Sequence, residues 1–329
     1  MFEDAQGAPD VDVVMPVRDE AMHLEAAIAA IAAQDYAGNV RIHLAVAPSS
    51  DGTEELAQQL AAADPMISVV PNPTGTAPAG LNAAIAASSA PVIVRVDGHC
   101  ELSPGYIARA VDTLARTGAA NVGGIQRPVG TTPFERAVAV AMSSRFGTGG
   151  SRFHVGGPEG QVDTVYLGVF RREALAGIGG FDERLVRNQD YELNIRLRKA
   201  GSVVWFDPHL WADYRPRSLL RSLARQYFGY GRHKRHVLRR HPSSLKLRQA
   251  IPPLVCTVVA GGVVLAPWRR PALLAPAGYL AALTAATVVE GRRHSGIRLR
   301  LALALATIHF SWSAGLILGG RRDPSRSRR

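Results

Sequence analysis

A short apolar run in this sequence ends in an acid and a histidine that could bind one metal ion together. Residues 91–96 are mostly β-branched, which predicts a buried strand, and Asp97, Gly98 and His99 follow it directly. Gly98 permits a sharp turn, so a carboxylate oxygen and an imidazole nitrogen could face one cation. This pair is expected at the carboxyl end of a strand, where ligands of open α/β sheets bind. An ordinary solvated turn is the alternative for an isolated Asp-Gly-His, so other residues must decide.

Further acids follow the predicted ends of other strands. Residues 18–20, Arg-Asp-Glu, come directly after a predicted strand at residues 11–17. Asp51 follows a predicted strand at residues 40–47, and Asp190 lies at the start of a predicted helix. The set includes no nucleophilic Ser or Cys, which excludes a hydrolase triad.

These residue types fit a reaction that needs a metal-bound diphosphate and one general base. Asp97 and His99 would hold a divalent cation that neutralises a leaving diphosphate. Glu20 and Asp51 would accept hydrogen bonds from a nucleobase or a ribose. Asp190 would accept a proton from an attacking hydroxyl group. The structural alternative for Asp190 is that it only caps the N-terminus of its helix.

Strands and helices alternate along the first two thirds of the chain. Strands are predicted at residues 11–17, 40–47, 67–70, 91–96, 121–126, 162–170 and 203–206. Helices are predicted at residues 23–33, 54–63, 78–87, 104–117, 134–144, 171–177 and 188–199. This alternation predicts an α/β fold with a mostly parallel, doubly wound, Rossmann-like sheet flanked by helices. The glycine-rich residues 147–160 predict a mobile loop.

Charge and hydropathy separate the last third of the chain from the rest. Residues 1–215 carry 17 Lys and Arg against 25 Asp and Glu, whereas residues 216–329 carry 21 against 2. A helix predicted at residues 217–240 combines basic residues with an apolar side, which is typical of a membrane interface, although a solvated surface helix gives the same pattern. Apolar runs flanked by arginines follow at residues 251–268, 271–289 and 299–320. Each run is close to the ~20 residues that span a bilayer, which favours a membrane, and not nucleic acid, as partner.

The charge pattern predicts four segments. They are a cytoplasmic α/β domain at residues 1–215, a basic amphipathic interfacial helix at 216–250, a membrane region with two or three apolar helices at 251–320 and a basic tail at 321–329. Three full spans would place the tail outside, against the positive-inside tendency, so one run could be re-entrant or interfacial. Cys100 and Cys256 are not expected to form a disulfide, which fits a reducing compartment. The acidic N-terminus has no apolar core, so no cleavable signal peptide is expected.

Seven short motifs occur in a fixed order along the chain. They are Val-Val-Met-Pro-Val-Arg-Asp-Glu at 13–20, Ser-Ser-Asp-Gly-Thr at 49–53, Ala-Gly-Leu-Asn at 79–82, Val-Asp-Gly-His at 96–99, Gly-Gly-Phe-Asp-Glu at 179–183, Asn-Gln-Asp-Tyr-Glu-Leu-Asn at 188–194, and Gln226 with Tyr230-Gly231-Arg232. In these motifs the chain resembles the family 2 glycosyltransferases, inverting enzymes with a GT-A fold. Within the family it is most similar to membrane-associated enzymes of bacterial exopolysaccharide assembly, of the succinoglycan type.

The resemblance implies a role for the residue at each matching position. The residues implied to bind the nucleotide-sugar donor are Pro16, Arg18, Glu20, Asp51, Asn82, Asp97, Gln226 and Arg232. Asp97 stands at the first acid of the family's Asp-x-Asp motif, and His99 stands at its third position, where a metal ligand is expected. Asp190 matches the second acid of the family's Glu-Asp pair, the catalytic base.

Three positions depart from the family pattern. The family usually carries an acid near Val46 and Ala47, so one uracil contact is missing here. Gln189 replaces the Glu before the base, which removes a charge but keeps a hydrogen-bonding group. His233 stands where a Trp often follows the Arg, which argues against a processive synthase.

The resemblance therefore implies a non-processive hexosyltransferase at the cytoplasmic face of the inner cell membrane. The implied donor is a nucleotide diphosphate sugar, with a UDP-sugar favoured, the acceptor is a hydroxyl of a lipid-linked saccharide, and the cofactor is Mg²⁺ or Mn²⁺. One alternative is transfer to polyprenyl phosphate, whose anionic acceptor needs little help from a base. An alternative of another class is a non-catalytic membrane protein that binds a sugar nucleotide.

Overall fold

The computed structural model describes residues 7–293 and 295–319, and the predicted basic tail at residues 321–329 lies outside them. The chain divides into two compact units. The first unit comprises Met1–Arg127 with Gly156–Tyr214, and the second comprises Pro128–Val155 with Arg215–Arg329. The division after Tyr214 lies next to the predicted domain boundary. The grouping of residues 128–155 with the C-terminal helices has no signal in the local sequence.

The first unit is built on one mixed sheet. Its strands are β1 (Val11–Val17), β2 (Val40–Val46), β3 (Ile67–Pro71), β4 (Val92–Arg95), β5 (Cys100–Leu102), β6 (Asn121–Pro128), β7 (Gly160–Gln161), β8 (Tyr166–Arg171) and β9 (Val204–Tyr214). Their order is β3-β2-β1-β4-β8-β6-β9-β5, with β7 paired to β9. The four strands β3, β2, β1 and β4 are parallel. β8 pairs antiparallel with β4 and β6, and β9 pairs antiparallel with β5 and β7.

The helices alternate with these strands and then continue alone to the C-terminal part of the chain. They are α1 (Leu24–Ala32), α2 (Thr53–Ala63), α3 (Ala77–Ala87), α4 (Tyr106–Thr117), α5 (Pro133–Ser143), α6 (Arg145–Thr148), α7 (Arg152–Val155), α8 (Arg172–Gly177), α9 (Gln189–Lys199), α10 (Leu220–Arg240), α11 (Leu247–Leu265), α12 (Leu274–Glu290) and α13 (Arg298–Leu318). The predicted α/β order is confirmed, and the parallel arrangement predicted for the sheet describes its first four strands.

The parallel strand β1 lies deep in the core and contains one buried acid. A strand covered on both faces needs a nearly continuous apolar run, and Asp12 is the exception in β1, fully buried among valines. Its carboxylate accepts hydrogen bonds from the backbone N–H groups of Ser89 and Ala90 at 2.7 and 2.6 Å, and His43 Nε2 lies 3.2 Å away. Burial alone would raise the pKa of Asp12, but His43 and the two N–H groups lower it to about 2. Asp12 is therefore ionised and ties β1 to the segment before β4.

β9 is longer than the sequence indicates. The predicted strand ends at residue 206, because an acid and then Pro208 follow, and both are unfavourable in a central strand. In the structure Arg109 donates two hydrogen bonds to the buried carboxylate of Asp207, at 2.7 and 3.2 Å, which offsets the cost of its burial. Pairing with β9 also forms β5 and β7, which are three and two residues long and too short to give a sequence pattern.

The glycine-rich stretch predicted as a mobile loop contains two single-turn helices, α6 and α7. The Ser144 hydroxyl accepts a hydrogen bond from the backbone N–H of Phe146 and so caps the first of them. Gly149 ends that helix with φ of 68°, in the left-handed region that glycine adopts without strain. The glycines therefore end helical turns here, whereas the sequence alone indicated only a lack of regular structure.

In the second unit α10 and α13 pack with close backbone contact. A side chain at Gly231 of α10 would collide with the carbonyl oxygen of Trp312, and one at Gly315 of α13 would collide with that of Phe228. Small residues at such crossings let two helices approach closely. The predicted basic helix is therefore present as α10, but α13 covers part of the side that was expected to face a membrane.

Three helices of the second unit are long and apolar enough to cross a membrane. They are Leu247–Leu265, Arg270–Glu290 (α12 with the turn before it) and Arg298–Leu318, of 19, 21 and 21 residues. Many of their large apolar side chains are exposed, among them Leu254 at 65% and Leu274 at 75%. Exposed apolar surface of this extent is typical of helices that face lipid. The predicted apolar helices are confirmed, and their number and orientation as membrane spans stay a prediction.

Candidate active site

The candidate site of the first unit is formed by three chain segments, two of which follow strands and one of which begins a helix. They are the turn after β1, the turn between β4 and β5, and the N-terminus of α9. Val14 of β1 is in register with Arg95 of β4, and the N–H of Val96 donates to the carbonyl of Val14 at 3.1 Å. The chain then turns through Asp97, whose carbonyl accepts from the N–H of Cys100 at 3.0 Å. The parallel register thus places the predicted metal ligands beside the end of β1.

Glycine is needed at the centre of this turn because the turn lies against the end of β1. A Cβ atom on Gly98 would lie 3.1 Å from both Glu20 Cγ and Val17 Cγ1, closer than an ordinary contact. The absence of a side chain at Gly98 lets Asp97 and His99 approach Glu20.

Arg95 joins the two acids that the sequence places in different roles. Its Nη2 donates to Asp97 Oδ1 at 2.7 Å, and its Nη1 donates to Asp190 Oδ2 at 3.3 Å. The predicted metal ligand and the predicted base, 93 residues apart in the chain, therefore share one guanidinium. Arg95 was not among the site residues predicted from the sequence. The signal that could have identified it is a charged residue within an otherwise apolar predicted strand.

The charge of Arg95 is maintained although its side chain is only 6% exposed. Burial by itself would lower the pKa of Arg95, but the carboxylates of Asp97 and Asp190 outweigh burial and raise it above the ordinary value. A buried charge is tolerated when it is paired and hydrogen-bonded in this way.

His99 is oriented by Glu20. Nδ1 of His99 lies 2.7 Å from Glu20 Oε1, and the imidazole ring packs 5.7 Å from the ring of Tyr214. The backbone N–H of Glu20 donates to the Thr53 hydroxyl at 2.8 Å, which holds the acid in place. A carboxylate that binds one nitrogen of a histidine directs the other nitrogen, here Nε2, to a metal. Glu20 was predicted to contact the nucleotide, and in this structure its carboxylate contacts His99.

The donor atoms in this turn fit a metal ion. One ligand atom each of Asp97, His99 and Cys100 lies within 4.8 Å of the others. The Cys100 thiol is buried and forms a hydrogen bond with the Tyr166 hydroxyl at 2.9 Å. Burial raises the pKa of this thiol well above its ordinary value. It is therefore a protonated thiol and a poor ligand. Asp97 and His99 remain as the pair able to bind a cation, and their role as metal ligands stays a prediction.

Asp51 stabilises the turn after β1 by hydrogen bonds. Its Oδ2 accepts from the backbone N–H of Ala21 at 3.0 Å, and its Oδ1 accepts from the N–H and the hydroxyl of Thr53 at 3.1 and 2.5 Å. The Thr53 hydroxyl contributes most to lowering the pKa of Asp51. Asp19 bonds from the other side, since its Oδ1 accepts from the N–H of Ser50 at 2.8 Å. The Asp51 motif thus fixes the loop that carries Glu20.

Two other residues predicted to line the donor pocket lie at or after the end of β1. Pro16 is in β1, in register with Ala45 of β2. Arg18 is exposed, and its Nη1 donates to the carbonyl of Gly75 at 3.4 Å. Pro16 is thus a strand residue and Arg18 belongs to the loop after β1, and their contact with a donor stays a prediction.

Three further predicted donor-binding residues lie elsewhere. Asn82 on α3 accepts from the N–H of Phe181 and donates to the carbonyl of Phe181 and to Glu183, all at 2.9 Å. Its amide therefore holds the Gly-Gly-Phe turn. Gln226 and Arg232 lie on α10 in the second unit, where Gln226 Nε2 donates to the Tyr230 hydroxyl at 3.0 Å. Their predicted roles are not tested by this geometry.

Asp190 is not the residue that caps its helix. The N-cap position of α9 is Asn188, with φ of 58°, and Asp190 is the second helical residue. Its Oδ1 accepts from the N–H of Tyr191 at 3.0 Å, while Oδ2 is held by Arg95. Asn188, and not Asp190, therefore occupies the N-cap position. The role of Asp190 as a base stays a prediction.

Comparison with known proteins gives consistent similarities. Residues 12–179 match the family described as Glycosyl transferase family 2. The chain is 32% identical over 309 residues to the succinoglycan biosynthesis protein ExoA of Rhizobium meliloti (strain 1021), covering 92% of each chain. It is 28% identical over 203 residues to the glycosyltransferase AglE of Haloferax volcanii, covering 60% of this chain and 64% of that protein.

Among solved structures, the chain is similar to the mannosyltransferase PcManGT from Pyrobaculum calidifontis, a structure in complex with GDP-Man and Mn²⁺. The TM-score is 0.63 at 18% identity, and the match covers 92% of this chain and 89% of that chain. At this identity the likeness concerns the fold, and it extends over both units.

Proposed function

This chain belongs to glycosyltransferase family 2 and has the GT-A fold, and from that premise we propose that it transfers a hexose from a nucleotide diphosphate sugar to a hydroxyl of a lipid-linked saccharide, with inversion. The observation that carries the proposal is the shared guanidinium of Arg95, which holds Asp97 and Asp190 at one place. A single displacement uses one acid to hold a cation at the diphosphate and a second acid to accept the proton of the acceptor hydroxyl.

In the proposed reaction Asp190 is the general base. The acceptor oxygen forms a bond to the anomeric carbon while the bond from that carbon to the diphosphate oxygen breaks. The electron pair of the broken bond leaves with the nucleoside diphosphate, and the proton of the acceptor hydroxyl goes to the Asp190 carboxylate. Attack from the face opposite to the leaving group inverts the configuration.

Asp97 and His99 would hold a divalent cation, which when bound neutralises negative charge on the leaving diphosphate. Glu20 orients His99 for this purpose. Mg²⁺ prefers oxygen ligands, whereas Mn²⁺ accepts imidazole nitrogen as well as carboxylate. The carboxylate–imidazole pair therefore supports Mn²⁺ over Mg²⁺ as the ion that gives the higher activity.

The donor pocket is proposed at the loops after β1 and β2. Pro16, Arg18 and Asp51 lie in or next to these loops, and family resemblance assigns them to the nucleotide. A UDP-sugar is our predicted donor. The pattern Val46-Ala47 lacks an acid that commonly contacts uracil, so comparison of UDP- and GDP-sugars tests this prediction directly.

The apolar helices and the positive charge of the second unit support a lipid-linked acceptor and a location at a membrane. The three long apolar helices of this unit support association with a membrane. Residues 216–329, with 21 Lys and Arg against 2 Asp and Glu, carry charge complementary to lipid-linked phosphates and anionic lipids. We propose that the first unit works at the cytoplasmic face of the inner cell membrane on a lipid-linked saccharide.

The function is tested with membranes that contain the full-length protein. They are incubated with radiolabelled UDP- and GDP-hexoses and with Mn²⁺ or Mg²⁺, and label is measured in the organic extract after mild acid release of the glycan. Label that depends on the protein and on a divalent ion, in an oligosaccharide with an added hexose, is the expected result. Membranes from cells without the protein are the control.

Other outcomes would change the conclusion. A single hexose released from lipid would favour transfer to polyprenyl phosphate. Donor binding without transfer to any lipid in native membranes would favour a non-catalytic sugar-nucleotide-binding protein.

A further inference from the structure

We propose that Arg95 is a positioning residue, which fixes the separation and orientation of Asp97 and Asp190 so that the leaving-group side and the base side of the transfer are held in one geometry. The inference rests on the proposed function, because it concerns how the same site is set for reaction. It assigns a role to a residue that lies in no metal-binding or acid–base position.

The contacts show that one side chain spans both acids. Nη2 donates to Asp97 and Nη1 donates to Asp190, so each terminal nitrogen serves a different carboxylate. A guanidinium is planar and rigid, so two carboxylates bound to its two ends cannot change their separation independently. Lysine has a single ammonium group on a flexible stem and does not impose such a constraint.

The strand that carries Arg95 makes this side chain a fixed reference. β4 is paired on both sides, with β1 and with β8, and Arg95 itself is in register with Val14. Asp97 follows β4 in a turn, and Asp190 follows the left-handed residue Asn188 at the start of α9. Each acid therefore lies next to a turn, whereas Arg95, which binds both acids, lies within the sheet.

Electrostatics favours the same arrangement. Two negative carboxylates at one site repel each other, and the Arg95 guanidinium lies between them with one hydrogen bond to each. The attraction of each acid to Arg95 therefore offsets the repulsion between them. Oδ1 of Asp97 is engaged by Arg95, so Asp97 would present Oδ2 to a cation.

The test compares Arg95→Lys and Arg95→Met with the wild-type protein. Lysine keeps the positive charge but donates from a single nitrogen on a flexible stem, and methionine keeps the approximate length but has no donor. Neither side chain can therefore fix the separation of two carboxylates. We expect both variants to bind the nucleotide-sugar donor with a Kd close to the wild type and to bind Mn²⁺ about 10–100-fold more weakly, because Asp97 loses its hydrogen-bond partner. At saturating Mn²⁺ we expect kcat to be lowered about a hundredfold, as expected when reacting groups are misplaced by about 1 Å. Full activity of Arg95→Lys would show that only charge is needed and would overturn the inference.

A matched control is the pair Arg109 and Asp207, which is also a guanidinium bound to a buried acid in the same sheet. Asp207 lies seven residues before Tyr214, the residue of β9 that pairs with Cys100, or roughly 23 Å along the strand. Arg109→Lys should lower the melting temperature and leave kcat unchanged. An equal loss of kcat in Arg109→Lys would mean that the Arg95 effect is a loss of stability.

The dependence on Asp190 separates positioning from a general structural role. If Arg95 acts in part through Asp190, Arg95→Lys should cost less in an Asp190→Asn background than in the wild type, because only the positioning of Asp97 then remains to be lost. A double variant whose loss of kcat equals the product of the two single losses would contradict the inference.

One readout does not depend on activity at all. A crystal or cryo-EM structure of Arg95→Lys is expected to show a changed separation between the Asp97 and Asp190 carboxylates. Unchanged carboxylate positions would overturn the inference whatever the activity. Absence of sugar transfer by the wild-type protein would overturn the proposed function instead, so the two failures are distinguishable.

Discussion

The two units of the chain compensate charge in different ways. In the first unit, where residues 7–127 and 156–214 contain 13 Lys and Arg and 22 Asp and Glu, buried charges pair with opposite side-chain charges. The pairs are Asp12 with His43 and Arg172, Arg95 with Asp97 and Asp190, Arg109 with Asp207, and Arg196 with Glu192.

In the second unit, residues 128–155 and 215–319 contain 20 Lys and Arg against 2 Asp and Glu. Two basic side chains there bond to backbone carbonyls. Lys234 donates to Ser244 at 3.1 Å, and Arg235 donates to Ile317 at 2.7 Å. A carbonyl satisfies the donor without cancelling its charge, so this unit keeps a strong positive potential for anions outside it. Buried charges of the first unit are therefore compensated within the fold, whereas the second unit keeps an excess of positive charge, which in the proposed function faces anionic lipid.

The largest effect is expected when the proposed catalytic acid of the first unit is replaced. Asp190→Asn keeps the shape and the hydrogen-bonding oxygen of the side chain but removes the base. We expect turnover to fall at least about a hundredfold, within the range for loss of a general base, with donor binding retained. Single-turnover rates and donor Kd values are to be measured on the same preparation. Turnover near the wild-type level would remove Asp190 as base and favour polyprenyl phosphate as acceptor.

A second substitution concerns the metal-binding pair. His99→Ala removes the imidazole and leaves Asp97 in place, so we expect loss of most of the activity and a weakened Mn²⁺ affinity, measured by electron paramagnetic resonance. Charge neutralisation by a bound cation contributes several kcal/mol to the transition state. Full activity of this variant in excess chelator would rule out a metal-dependent reaction. Circular dichroism is the control for folding.

A smaller effect is expected when the orientation of His99 is disturbed. Glu20→Gln keeps a hydrogen-bond acceptor for Nδ1 but removes the negative charge. Loss of such a partner costs about 10–100-fold in metal affinity, and we expect the lower end because the hydrogen bond persists. Titration of activity with Mn²⁺ gives the apparent affinity. A change in donor KM at saturating Mn²⁺, with no change in metal affinity, would instead support the predicted contact of Glu20 with the nucleotide.

The buried acid of β1 gives a prediction about stability. The pKa of Asp12 is about 2 in the folded protein, below its ordinary value of 3.8. Its ionised form therefore stabilises the fold above pH ~4, and the contribution is lost as the pH falls through about 2. Asp12→Asn should lower the free energy of unfolding by about 2 kcal/mol near pH 7. Melting temperatures across the pH range test this, since a difference that does not shrink in acid would contradict it.

The smallest expected effect concerns salt and the second unit. Charge interactions with lipid are screened in 1 M NaCl, but inserted apolar helices are not released by salt. The full-length protein should stay in the membrane pellet after a high-salt wash and enter solution only with detergent. Release by salt alone would mean that α10 attaches the protein by its charge and that the apolar helices do not span the bilayer.

The sequence by itself determined the order of elements and most of the residues that could do chemistry. Short apolar and β-branched runs identified β1 to β4, helical spacing of apolar residues identified α1, and three long apolar runs identified α11 to α13. The site motifs were recognisable because each is a short local pattern that ends a strand or begins a helix. Local patterns survive in the sequence because they depend on neighbours along the chain.

Only the tertiary structure decided which of these groups meet. The pairing of Arg95 with Asp97 and Asp190, and of Glu20 with His99, depends on strand register and on a helix start 93 residues further along the chain. The continuation of β9 through the buried Asp207 is accompanied by an ion pair with Arg109 of α4, and the antiparallel half of the sheet depends on pairing between strands far apart in the chain. A charged residue in an apolar strand is unfavourable on local grounds. It becomes favourable only when the fold supplies its partners, so its role is visible only in the folded protein.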